Sequence, residues 1–359
     1  MPSCKSRVGL LGILNFGMPG RTLTRFRLLG VNQMAGTKVV CFTDLDSELR
    51  QVVADQALPG MEVVSEPLDI SEGEKIELVA DADFLIIWPA VLSDEVLRAA
   101  KKCKLVQLLS AGYDKMNLTL ADELGVPVAN NGGANSVAVA EHTMMLILAI
   151  YRKLVVNANR VSSGGWRASR DRRPDVFEFE GKTLGLIGIG NIAKKVAKRA
   201  RAFDAVVQYY DRYASLSTAE EQEMGVKAVE FEELLRTSDV VSIHVPLTGE
   251  TRGMIGKHQL AMMKPSAVII NTSRGGIIDE DALAQALTSG VIAAAGLDVL
   301  EKEPPPAGHP LLGLDNAIIT PHNAGPTLES IPKRAANAFE NIQRVLDGGP
   351  PSWTAKFGN

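Results

Sequence analysis

The chain has 359 residues, 46% of them apolar, which is enough for two ordinary domains with separate cores. A net charge of −4 without a dense basic tract argues against nucleic acid as the main partner. The cysteines Cys4, Cys41 and Cys103 are odd in number and widely spaced, so they fit neither a disulfide framework nor a metal site, and a reducing cytoplasm suits them best.

Lys5 and Arg7 precede an apolar run, but no small-residue cleavage site follows and Arg21, Arg25 and Arg27 come soon after. A first strand over 8–13 explains the run better than a signal peptide. Further short buried strands are expected over 39–43, 84–87, 105–108 and 126–129, with helices near 47–56, 93–101 and 118–124 between them. Such alternation predicts a parallel sheet covered on both faces. The turn-forming run 130–135 then breaks the pattern, and Asn135 or Ser136 is placed to cap the apolar helix that follows. The run 144–150 within that helix is too short to span a bilayer and reads as buried. Arg167, Arg170, Arg172 and Arg173, interleaved with Asp171 and Asp175, read as a solvated loop.

The densest signal lies at mid-chain. A strand from Thr183 leads into Gly188-Ile-Gly190-Asn-Ile-Ala193 and a helical run to about Phe203, and a second strand over 206–210 ends on Asp211. This is the order and length of a βαβ unit around a dinucleotide. Gly188 permits the tight turn, and Gly190 lacks the Cβ that would hold a pyrophosphate away from the first helical amides. Asp211 is placed to accept hydrogen bonds from the adenosine ribose and to repel a 2′-phosphate, which favours NAD over NADP, although Arg212 beside it partly offsets that repulsion.

Beyond Asp211 the rhythm resumes, with a helix near 231–236, strands over 240–244 and 267–271, a helix over 280–289, and strands over 293–297 and 317–320. A last helix over 329–346 is too short for another domain and is expected to pack back on the first. In open α/β sheets ligands gather beyond the carboxyl ends of the strands. There stand Arg274 after one strand, Asp298 and then Glu303 after the next, and His322 after the last. A guanidinium, a carboxylate and an imidazole are thus directed toward one crevice.

On these motifs the chain resembles the D-isomer-specific 2-hydroxyacid dehydrogenase family over roughly 106–327. The likeness rests on Gly188-Ile-Gly190-Asn-Ile with Asp211, Ile243-His-Val-Pro-Leu-Thr248, Asn271-Thr-Ser-Arg-Gly-Gly276, Gly296-Leu-Asp-Val with Glu303-Pro304, and Pro321-His322. It implies an α/β fold of two doubly wound parallel-sheet domains, a Rossmann nucleotide-binding domain (131–325) inserted into a flavodoxin-like substrate domain (1–130 plus 326–359). It implies Arg274, Glu303 and His322 as the catalytic trio. Gly188, Gly190, Asn191, Ile192, Asp211, Arg212, His244, Val245, Pro246, Thr272, Ser273, Arg274, Asp298, His322 and Gly325 would line the NAD, with Asp298 near the carboxamide. Ser110, Ala111 and Gly112 would hold the substrate carboxylate together with Arg274 and His322. The long apolar helix would form a twofold dimer contact, giving a homodimer acting on a small 2-oxo or 2-hydroxy acid.

The implied chemistry suits the residue types. In reduction, hydride passes to the carbonyl carbon while protonated His322 donates to the oxygen that gains charge, and Glu303 orients the ring and favours its charged form. Arg274 binds the carboxylate and polarises the carbonyl from one planar fork. Tyr113 and Pro326 depart from the family's usual pattern and bear on substrate identity. Phe16, Met18, Arg21 and Trp88 are expected in core or loop packing. Rival readings are an NAD-sensing corepressor on the same scaffold and the formate or phosphite dehydrogenase branch; the formate enzymes typically carry glutamine in place of Glu303.

Overall fold

A computed structural model describes residues 36–166 and 175–355. The strand expected over 8–13, the residues Phe16, Met18 and Arg21, and the arginine cluster lie outside the described residues.

The first sheet is built from β1 (Thr37–Thr43), β2 (Met61–Pro67), β3 (Phe84–Trp88), β4 (Leu105–Leu108) and β5 (Val128–Ala129). All neighbours are parallel, in the order β2-β1-β3-β4-β5. The helices α1 (Ser47–Ala54), α2 (Glu72–Val79), α3 (Asp94–Ala99) and α4 (Leu118–Glu123) connect them. Each starts on a side-chain cap, Asp46, Ser71, Ser93 and Asn117 respectively, which satisfies an otherwise unpaired amide of the first turn. Both faces of the sheet are buried. Val40, Phe42, Leu85 and Ile87 pack on one side and Val39, Cys41, Phe84 and Ile86 on the other, as the two-residue period of a strand requires.

The chain then runs through α5 (Ser136–Tyr151) and α6 (Leu154–Ser162) into the second sheet. In chain order this contains β6 (Thr183–Ile187), α7 (Asn191–Arg201), β7 (Val206–Tyr210), α8 (Thr218–Met224), β8 (Val226–Ala228), α9 (Phe231–Thr237), β9 (Val240–Ile243), α10 (Lys257–Met262), β10 (Val268–Asn271), α11 (Glu280–Thr288), β11 (Ala294–Leu297) and β12 (Ala317–Ile319). Its strand order is β12-β11-β10-β9-β6-β7-β8, the doubly wound dinucleotide-binding order with one strand added at an edge. Finally α12 (Ser330–Leu346) returns to pack on α1 and β4 of the first sheet. Strand order reverses between β6 and β9 in the second sheet and between β1 and β3 in the first, and each reversal opens a crevice at the carboxyl ends.

Several local expectations need correction. Asn135 occupies the cap position of α5 but makes no capping bond there; its Oδ1 instead accepts from Asn131 Nδ2 at 3.4 Å. The strand expected from 126 is confined to Val128–Ala129. The elements β2, α2, α6, α8, β8 and α10 had no sequence expectation. Tyr113 packs on the core cluster of the first sheet. No helix among the described residues is long and apolar enough to cross a membrane.

Candidate active site

The second sheet's crevice starts at the glycine turn. Gly188 has φ +95°, a conformation L side chains rarely adopt, and a Cβ there would lie 2.9 Å from the His244 carbonyl oxygen. The turn after β6 can therefore press against the end of β9. Gly190 forms the N-cap of α7 with no side-chain cap, and a Cβ on it would meet nothing within 4 Å. The result is an uncapped helix start facing open space, which fits a pyrophosphate. Asp211 Oδ2 accepts from Ile189 N at 2.9 Å, and Oδ1 accepts from Tyr213 N and Ala214 N, each at 2.9 Å. With about four lone-pair sites on a carboxylate, room is left for one ribose hydroxyl. Arg212 turns toward Glu250, 3.6 Å away, and the Tyr213 ring.

Nearby polar groups are already engaged. His244 is half-buried, and that shielding lowers its pKa to about 3, with its Nε2 2.9 Å from Ser242 Oγ. The Pro246 carbonyl accepts from Thr251 Oγ1 at 2.6 Å. Thr272 turns toward α5, its hydroxyl 3.0 Å from that of Thr143. Ser273 donates from both N and Oγ to Asn271 Oδ1, while Asn271 Nδ2 donates to the Arg274 carbonyl. These bonds shape the turn that carries Arg274. Asn191 lies against Gly133, at the approach between the two sheets.

The guanidinium, carboxylate and imidazole expected to act together follow the carboxyl ends of β10, β11 and β12. His322 Nδ1 and Glu303 Oε2 are 2.8 Å apart, and Glu303 Oε1 accepts from Leu300 N at 3.1 Å. Burial pushes the Glu303 carboxyl up, but the hydrogen bond and charge of His322 outweigh it, so the group is held below the usual carboxylate range. The Glu303 loop is braced from below: Glu280 Oε1 accepts from Glu301 N at 2.6 Å, and Oε2 pairs with His309 Nε2 at 2.8 Å. Gly275 abuts this loop so closely that a Cβ would lie 2.0 Å from the Leu300 carbonyl, which joins the Arg274 turn to the Glu303 loop.

Asp298 is 1% exposed and holds the His322 loop. Its Oδ1 accepts from Thr320 Oγ1 at 2.6 Å and Asn323 N at 3.1 Å, and its Oδ2 accepts from Ala324 N at 2.9 Å. His142 on α5 completes the cluster, with Nε2 3.0 Å from Thr320 Oγ1, and burial lowers its pKa against the opposing pull of Asp298. Asp298, the residue expected near a carboxamide, thus holds the loop that carries the imidazole.

Arg274 reaches across to the first sheet. Its Nη2 occupies the place of a Gly112 side chain, where a Cβ would come within 1.2 Å. Arg274 Nε donates to Asp114 Oδ1 at 2.7 Å and Nη1 to the Ser273 carbonyl at 2.6 Å. Burial raises the Asp114 carboxyl, yet the Arg274 charge and hydrogen bond hold it below the ordinary range. The loop itself is set by Ser110 Oγ donating to the Gly112 carbonyl and Asn130 Nδ2 donating to that of Ala111, at 2.7 and 3.1 Å. Asp114, Glu280 and His142 were missed as supporting residues. Each finds its partner far away in the chain, and spacing carries no trace of that.

A doubly wound sheet with a glycine turn and a terminal acid, joined to a crevice holding an imidazole–carboxylate pair and a guanidinium, defines a dinucleotide-dependent protein of the oxidoreductase kind. The family model of the D-isomer specific 2-hydroxyacid dehydrogenase, NAD binding domain, matches residues 144–324. The D-3-phosphoglycerate dehydrogenase of Archaeoglobus fulgidus is 43% identical over 282 residues, covering 78% of this chain and 53% of that protein. The glyoxylate reductase of Korarchaeum cryptofilum is 38% identical over 281 residues, 77% of this chain and 83% of that one. The crystal structure of the TT0316 protein from Thermus thermophilus superposes with a TM-score of 0.76 at 34% identity, covering 89% of this chain and 100% of that chain. The chain belongs to the D-isomer specific 2-hydroxyacid dehydrogenase family and carries its NAD-binding domain. It spans about half the length of the archaeal phosphoglycerate dehydrogenases it matches.

Proposed function

We infer that the protein interconverts a 2-oxo acid and its D-2-hydroxy acid with NAD(H), Arg274, Glu303 and His322 carrying the chemistry. The observation that carries this reading is the His322–Glu303 pair at 2.8 Å, on the sheet whose Arg274 reaches across to Gly112 of the first sheet. Bound NADH supplies hydride to the carbonyl carbon. With Nδ1 turned to Glu303, His322 Nε2 is the nitrogen that gives a proton to the carbonyl oxygen in reduction and takes it back in oxidation. Arg274 Nη2 and the amides around Ala111 and Gly112 hold the substrate carboxylate, so the carbonyl is oriented before the proton moves. The glutamate at 303 favours a hydroxy acid over the formate branch.

The substrate domain is 1–130 with 326–359, and the nucleotide domain 131–325. Asp211, with Arg212 drawn off to Glu250, supports NAD over NADP. Reduction of glyoxylate, hydroxypyruvate, pyruvate, phenylpyruvate and branched 2-oxo acids, each followed with NADH and then NADPH, tests both points. Turnover of at least one acid with NADH preferred is expected. Tight NADH binding without turnover on any would replace the enzyme by a sensor. The free thiols Cys41 and Cys103 are buried, and burial pushes their pKa values up to about 12 and about 11, which suits a reducing cytoplasm.

A homodimer is also part of this reading. Helix α6 has no buried residue and leaves Leu154, Val155, Val156 and Val161 between 41% and 57% exposed, continuous in the chain with α5, where Met145 is 46% exposed. That apolar face is covered by the same face of a second copy. Light scattering is expected to give twice the chain mass, and Val155→Glu with Val161→Glu to give a monomer; a monomeric wild type refutes the dimer.

A further inference from the structure

In the first sheet strand order reverses between β1 and β3, the position where an α/β sheet is expected to receive a ligand. The strand-end residues there are Thr43 and Trp88, paired in register and on the face covered by α12. Over the Trp88 ring, 5.3 Å from its centroid, lies the guanidinium of Arg334 from the first turns of α12. Arg334 is 3% exposed. Its Nη1 donates to the Leu109 carbonyl at 3.0 Å, whereas Nε and Nη2 have no acceptor among the described residues. The hydroxyl of Thr43, fully buried, has no partner there either. Among the described residues no carboxylate offsets the charge, and burial lowers the Arg334 pKa to about 10.

A shielded cation whose Nε and Nη2 find no acceptor among the described residues is costly, because there desolvation is opposed by one hydrogen bond and one aromatic face. An apolar residue would fill the same place with a smaller penalty. The position is informative. Leu109 precedes Ser110 and is three residues from Gly112, and a Cβ on Gly325, three residues after His322, would lie 3.0 Å from Arg334 Nη2. Arg334 therefore sits between the substrate loop and the His322 loop, at the topological switch point where an α/β sheet receives ligands.

We propose that Arg334, with Thr43 and Trp88, binds a second anionic group at the far end of the 2-oxo acid, a carboxylate or a phosphate, and so selects substrates with a charged tail. The proposal rests on the 2-oxo acid reading above. Arg274 takes the carboxylate next to the reacting carbonyl, and Arg334 takes the other end. A charge-assisted hydrogen bond to a desolvated guanidinium discriminates by about 30-fold against a tail that leaves it unpaired.

Steady-state reduction of matched pairs tests it: oxaloacetate against 2-oxobutanoate, and phosphohydroxypyruvate against hydroxypyruvate. The wild type is expected to favour the anionic member of at least one pair by about 30-fold in kcat/KM, and the pair that responds identifies the anion. Arg334→Met brings that ratio close to one, chiefly through KM, and Arg334→Lys keeps part of it. A wild-type ratio near one in both pairs, or an Arg334→Met loss equal for both members, overturns the proposal. If no 2-oxo acid is reduced, the enzymatic reading falls and the anion site is decided by binding. Melting of the NADH complex is then followed with D-malate or D-glycerate 3-phosphate and their uncharged-tail counterparts, D-2-hydroxybutyrate and D-glycerate. A larger shift with an anionic member, abolished in Arg334→Met, supports the site, and equal shifts sink it.

Discussion

His322→Asn is expected to lower kcat for reduction by about 1,000-fold, the range that a positioned proton donor supplies, while NADH affinity stays close to that of the wild type. Asparagine is the informative replacement because His322 has φ +53°, a left-handed conformation that Asn tolerates better than Ala. The backbone of the loop is thereby kept, and the titrating nitrogen alone is lost. The pH dependence has a definite sign. Reduction uses the imidazolium and oxidation the neutral ring, so reduction slows toward high pH and oxidation slows toward low pH. Glu303 has a folded pKa below its ordinary value of 4.5, so its pairing with His322 persists above that value and is lost as pH falls through the depressed one. Glu303→Gln removes the carboxylate that accepts from the ring and is expected to lower kcat for reduction by at least about 10-fold with NADH affinity kept. A His322→Asn enzyme with wild-type kcat, or a Glu303→Gln enzyme with wild-type kcat, would refute the proton-transfer role.

What the sequence disclosed and what it withheld divide along physical lines. Strands buried on both faces, such as Phe84–Trp88 and Thr183–Ile187, read as dense apolar runs and were placed to within two residues. Met61–Pro67 was invisible because it is an edge strand with glutamates at positions 62 and 66 and no fully buried residue. The glycine turn, Asp211, Arg274, Glu303 and His322 were legible because each follows a strand at its carboxyl end. Their supports were not, since Asp114 meets Arg274 across 160 residues and Asp298 reaches forward to the amides of Asn323 and Ala324. Arg334 did leave a trace. It falls on the stripe of Ile331, Ala335, Ala338 and Ile342, the buried face of α12, and a lone arginine on an apolar helical stripe is the signal that could have found it.

Asp298→Ala is expected to destabilise the protein by about 3 kcal/mol and to reduce turnover by a factor of at least about 100, with no group that contacts the reacting atoms removed. The carboxylate is shut off from water and accepts from the Thr320 hydroxyl and the amides of Asn323 and Ala324. Truncation takes the acceptor from the Asn323 and Ala324 amides, the latter in a buried residue where a lost hydrogen bond costs most, and takes from the Thr320 hydroxyl its shortest partner. The two amides directly follow His322 and the Thr320 hydroxyl precedes it, so a loop released from Asp298 relaxes its positive φ at His322 and carries the imidazole away from Glu303. Thr320→Val removes a single donor and should destabilise by about 1 kcal/mol, which separates a local gap from loss of the whole clamp. In the Asp298→Ala, His322→Asn double variant the two activity losses should fall well short of adding, because a displaced imidazole and an absent one fail in the same way. Additive losses, or an Asp298→Ala enzyme that melts and turns over like the wild type, would mean that the loop is held by something other than this carboxylate.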